Sequence, residues 1–110
     1  MTVTAIVPVD KRKCKVFLGE DFAFVLYKSE AARFHIEEEN DLSEQTYEKI
    51  KEEILLKRAR DRALYLLQSQ GRTKAEMIQK LQKDGYPDDV IREVMSFLEM
   101  TVLTQKIIFM

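Results

Sequence analysis

Two runs of cations are the residues whose types and spacing could do chemistry in this chain. The chemistry they offer is the binding of anions, not the making of bonds. Lys11, Arg12, Lys13 and Lys15 form the first run; Lys57, Arg58, Arg60 and Arg62 form the second. An acidic block, Glu37, Glu38, Glu39 and Asp41, stands between them. On a helix turning by about 100° per residue, Lys57 and Arg60 project at neighbouring angles, while Arg58 and Arg62 share another face. Each run has two readings. One is a solvated, salt-bridged surface: Glu53 and Lys57 are an i, i+4 pair, and lysines near strands also block edge-to-edge association. The other is contact with phosphates or with an acidic protein surface, which a local basic patch makes even on a neutral protein. Arg72 and Lys80 join the second run as candidate contacts. The aromatic residues do not interleave with these runs as a base-stacking platform requires, so base-specific readout is not expected.

Bond-making chemistry lacks its parts. Cys14 and His35 are the single cysteine and the single histidine. They give no disulfide framework, no cysteine-based metal site and a poor basis for a Cys–His nucleophile. Cys14 reads as a small core or edge residue and His35 as a surface or half-buried one. There is no Gly-rich phosphate loop. Glu37 to Glu39 read as a solvated loop, and Asp88 and Asp89 as complements to a helix dipole. The expectation is a non-enzymatic protein without metal or cofactor. The unpaired cysteine fits a reducing, cytoplasmic compartment. No apolar run approaches the roughly 18 residues of a membrane helix, and no secretory leader is legible.

These residues need elements to position them. With 110 residues, 45% apolar and 34% charged, the chain is expected to fold as one domain with at most a small appendage. A net charge of −1 excludes steering by global charge. Three glycines and two prolines, against many Leu, Ile, Lys, Glu and Arg, favour helix. Residues 3–8, 13–18 and 22–27 are short, apolar and rich in Val, Ile, Phe and Tyr, with turn residues between them. They predict an antiparallel meander whose second hairpin turns at Gly19-Glu20-Asp21, with Pro8 at an edge or a strand end. So small a sheet needs a cover, expected from the first helices.

Ser29 to His35 predicts a short helix capped by Ser29. Ser43 predicts the next cap, with Leu42 stapling to Tyr47. Apolar or small residues at Tyr47, Ile50, Ile54, Ala59, Ala63, Leu66 and Leu67 predict one long helix over 43–70, with a bend near 56–59. Gly71 suits the position after it. Thr73 and Glu76 match a capping box, with Ala75, Met77, Ile78 and Leu81 as the apolar side of that helix. Gly85 closes it, and Pro87 is placed as the first residue of a last helix buried through Val90, Ile91, Val94, Met95 and Leu98. The organisation read is 1–28 meander, 29–57 short helix and start of the long connecting helix, 58–99 three-helix repeat, and 100–110 an apolar tail.

The spacing A-L-x-L-L, R-T-x-x-E-M-x-x-K-L, G-Y and I-x-x-V-x-x-x-L falls in one register. It is carried by Ala63, Leu64, Leu66, Leu67, Arg72, Thr73, Glu76, Met77, Lys80, Leu81, Gly85, Tyr86, Ile91, Val94 and Leu98. It resembles a helical repeat of the bacterial RecX family, regulators of the RecA recombinase. V-F-L-G-E-D-F-A-F also looks like that family's hairpin, and L-S-E-Q-T-Y-E-K-I like its lead-in helix. The resemblance implies a mainly α fold with a small N-terminal antiparallel β meander. It also implies a protein that binds the RecA filament on single-stranded DNA and restrains recombination and SOS repair, with DNA contact through the basic patches.

The C-terminus departs from the family. A Gly, a Tyr or Leu, a Leu or Ile and two Asp usually follow the last helix, and two more repeats come after. Here Met100-Thr101-Val102-Leu103-Thr104-Gln105 stands in that place. The chain therefore resembles a shortened member with one repeat. Its tail (Val102, Leu103, Ile107, Ile108 and Phe109) is expected to cover the last helix, within the chain or across a homodimer. The alternative is a small helical interaction or DNA-binding module unrelated to RecA; Asp88 and Asp89 would meet phosphates badly if that helix entered a groove.

Overall fold

The computed structural model describes residues 1–69 and 71–100. The apolar tail expected at its end therefore lies outside the described residues, as does Gln70, on which the cap at Gly71 turns. The chain divides into two compact units, Met1–Ile50 and Lys51 onward.

The first unit holds the predicted meander: β1 (Val3–Pro8), β2 (Lys13–Leu18) and β3 (Phe22–Tyr27), antiparallel in the order β1-β2-β3. Pro8 ends an edge strand, where its missing N–H costs no ladder bond. Gly19 takes φ +70° in the second turn, a conformation that favours glycine. Alternation sends Cys14, Val16, Leu18, Phe24 and Leu26 inward. Helices α1 (Lys28–Arg33) and α2 (Glu44–Ile50) follow. The Tyr47 ring of α2 packs edge-on to Phe22 at 5.3 Å and tilted on Phe24 at 5.6 Å, so a helix does cover the sheet.

Helix α1 starts one residue earlier than its predicted cap. Tyr27 is the N-cap, its amide donating to Glu30 Oε1 at 2.8 Å, and Ser29 lies inside the helix. The helix stops at Arg33, because the Ile36 amide donates to Ala31 and the His35 amide to Ala32, which closes a Schellman motif. His35 is thereby placed at φ +55°. Ser43 caps α2 as predicted, accepting from the Thr46 amide at 3.1 Å, and Leu42 and Tyr47 are both buried.

The acidic loop does more than meet solvent. Val3 donates to Asn40 O (2.9 Å) and accepts from Glu39 (2.8 Å), Thr2 bridges Asp41, and Glu38 Oε1 accepts from the Ile6 amide (2.9 Å). The loop thus satisfies the outer edge of β1, which would otherwise be open to pairing with another chain.

The second unit opens with a π-helical segment, Lys51–Leu55, so the predicted long helix is not uniform. Helix α3 (Leu56–Ser69) continues from it. The apolar steps from Ile50 to Ile54 to Ala59 include one of five residues. An i→i+5 turn makes that step a same-face step, which a plain α-helix does not. Helices α4 (Lys74–Lys83) and α5 (Asp88–Glu99) complete a bundle in which α3, α4 and α5 all meet. The capping box forms, with Thr73 Oγ1 accepting from the Glu76 amide and Glu76 Oε1 from the Thr73 amide, each at 3.1 Å. This start fixes the phase of α4. Met77 and Leu81, one turn apart, are fully buried, whereas Ala75 in the first turn is exposed and Ile78 only half-buried.

Helix α4 ends in a second Schellman motif. Tyr86 donates to Leu81 O and Gly85 to Gln82 O, with Gly85 at φ +93°. Pro87 is the N-cap of α5 and not its first residue: ψ 156° keeps it extended, while its carbonyl accepts from Ile91 at 3.0 Å. Val90, Ile91, Val94, Met95 and Leu98 are the buried stripe, as the spacing predicts. Among the described residues no helix is long and apolar enough to cross a membrane.

Candidate functional site

The candidate surface lies on α3. Its inner side is set by Ala59, Ala63, Leu66 and Leu67, all buried, and this turns the cations outward on two diverging faces. Arg58 and Arg62 share one face, with Tyr65 a further turn along. Tyr65 is 61% exposed, and the Arg62 guanidinium lies 5.8 Å from its ring centre. Arg62 Nε donates to Asp84 Oδ2 at 2.8 Å, tying α3 to the end of α4. The half-buried Tyr86 stands in the field of the same residues. Burial pushes its phenol upward and Asp84 adds to this, while Arg58 and Arg62 oppose it. Tyr86 therefore keeps its proton at neutral pH and can donate. The result is a surface of two arginines, an exposed tyrosine and a protonated phenol, which can hold phosphates, carboxylates or a flat apolar group.

The other candidates separate from this patch. Arg60 faces α5, its guanidinium 5.0 Å from the Phe97 ring centre. Lys57 is exposed one turn before it. Arg72 reaches back to the end of α3, its Nε 3.4 Å from the Leu66 carbonyl, where a cation complements the helix dipole. Lys80 is exposed on α4. The six predicted residues are thus not one cluster. Tyr65 and Tyr86 were missed by sequence reasoning, although the spacing of Arg58, Arg62 and Tyr65 could have located the first. The Arg62–Asp84 bond had no sequence signal, because 22 positions separate its partners.

Two ion-pair sets hold the surface in place. Lys51 Nζ lies 2.9 Å from Glu93 Oε2 and 3.3 Å from Asp89 Oδ2, fastening the π segment to α5. Lys74 Nζ lies 2.8 Å from Glu99 Oε1, fastening the start of α4 to the end of α5. Asp89, near the start of α5, is thus committed to a cation as well as to the helix dipole.

Residues 59–98 match the family model of the RecX first three-helix domain. The chain is also similar to a crystal structure of regulatory protein RecX, with 21% identity and a TM-score of 0.47, over 93% of this chain and 51% of that one. It spans about half the length of that protein. A search of curated protein sequences gives no match.

Proposed function

We propose that this chain is a non-enzymatic regulator that binds the RecA filament on single-stranded DNA and inhibits it, modulating recombination and SOS repair. The observation that carries the reading is the RecX first three-helix domain at residues 59–98, with Arg62 and Tyr65 on its outward face. In this account Arg58 and Arg62 make the main contact with acidic groups of the filament, Tyr65 supplies flat contact area, and Lys57 and Lys80 add longer-range attraction. Arg60 and Arg72 lie away from the face of Arg58, Arg62 and Tyr65, beside Phe97 and the end of α3, and contribute less. Direct DNA contact is secondary and limited to phosphates, since Asp88 and Asp89 occupy the start of α5.

One three-helix domain is matched in this chain, and a single module binds without the avidity of linked ones. Inhibition by this chain is therefore expected only with it in excess over RecA. The test is filament binding by anisotropy with Arg58→Glu/Arg62→Glu. Binding should weaken about tenfold or more, with a shallower salt dependence. Unchanged binding would return both arginines to a solvated surface.

A further inference from the structure

The outer face of the sheet carries a pattern that the helical domain does not use. Strand register places it in three cross-strand rows. Val9, Lys13 and Tyr27 form one, Val7, Lys15 and Val25 the next, and Ala5, Phe17 and Ala23 the third. Lys13 and Lys15 are the only charged residues in the three strands, and both fall on this face. They run down its centre between apolar lanes. Val7 is 46% exposed and Val9 54%. The same end of the sheet gathers Lys11 and Arg12 in the first loop and Lys28, whose amide bonds the Arg12 carbonyl at 2.8 Å. Asp10, in the first loop, accepts from the Arg12 and Lys13 amides at 2.8 Å each.

A surface with cations along the middle and valines on both sides asks for a ligand with the reverse pattern. We infer that this face docks an acidic, amphipathic segment of a protein partner, its carboxylates on Lys13 and Lys15 and its apolar side chains on Val7, Val25 and Phe17. Single-stranded nucleic acid would also bring negative charge, but it needs ring faces to stack on. Here aliphatic side chains outnumber rings, and the Phe17 ring already has the Lys15 ammonium 5.4 Å from its centre. Charge complementarity also disfavours a second copy of the sheet, which would set lysine against lysine.

The inference is independent of the RecA reading, and its test needs no RecA. The full chain, isotope-labelled, is titrated with a synthetic peptide alternating glutamate and leucine, with the lysine–leucine analogue as control and oligo-dT as a separate arm. The expected result is amide shifts confined to β1, β2 and β3, with binding that weakens as salt is raised. Lys13→Glu/Lys15→Glu should lower affinity about tenfold or more without changing the circular dichroism spectrum. Lys13→Gln/Lys15→Gln, which adds no repulsion, should lower it several-fold. Shifts elsewhere, equal binding of the lysine peptide, or tighter binding of oligo-dT at this face would overturn the assignment.

Discussion

Replacing Lys51 by methionine tests how the second unit is held. Met keeps most of the buried stem and removes only the charge. The Lys51 side chain is 11% exposed, Asp89 24% and Glu93 52%. Exposed ion pairs contribute about 0.2–1 kcal/mol. Breaking a buried one costs about 3–5 kcal/mol, because the partner is left in low dielectric. A nearly buried cation between one half-buried and one exposed carboxylate falls between these limits, at about 2 kcal/mol. For a unit of this size that lowers Tm by roughly 10 °C.

The pH dependence gives a second check. Burial alone would lower the Lys51 pKa, but its bonds to Glu93 and Asp89 outweigh burial and the net direction is upward. A cation held above its unfolded value stabilises fully below that value and loses its contribution as pH rises through the folded pKa. The difference between wild type and Lys51→Met should therefore be full at neutral pH and shrink in strongly alkaline buffer. Thermal unfolding followed by circular dichroism across that range reads both effects. A loss under about 0.5 kcal/mol at neutral pH, or a difference that persists unchanged in alkali, would refute the reasoning.

Two further outcomes follow from the backbone and the core. Gly85→Ala should cost about 1 kcal/mol because φ +93° crowds a Cβ, and His35→Gly should gain a few tenths, both read by urea unfolding. Met77→Ala, at a fully buried position, should cost about 2–5 kcal/mol and collapse the helical signal of the second unit at moderate temperature.

The strands were legible because three β-branched and aromatic runs are separated by turn residues, and each run spans one strand. The last helix was legible because Val90, Ile91, Val94, Met95 and Leu98 repeat at helical spacing. Capping at Thr73 and Ser43 was local chemistry, readable over four residues. What escaped was mostly long-range or a matter of phase. The pairing of β1 with the acidic loop joins segments far apart in sequence, as does Arg62 with Asp84. The π segment shifts the phase of the helix that follows, and a plain 3.6-residue reading blurs it into a bend. Cations on two faces of α3 look like one run in sequence. The lysines of β2 look like part of a basic loop until the pleat sets Lys13, Lys15 and Phe17 on one side.

The most direct test of the central claim is the single-strand-DNA-dependent ATPase of RecA titrated with this chain at low and moderate salt. The account predicts inhibition that needs the chain in excess over RecA, weakens as salt rises, and is lost with Arg58→Glu/Arg62→Glu. Unchanged ATPase at every concentration in low salt, with the chain folded by circular dichroism, would contradict it.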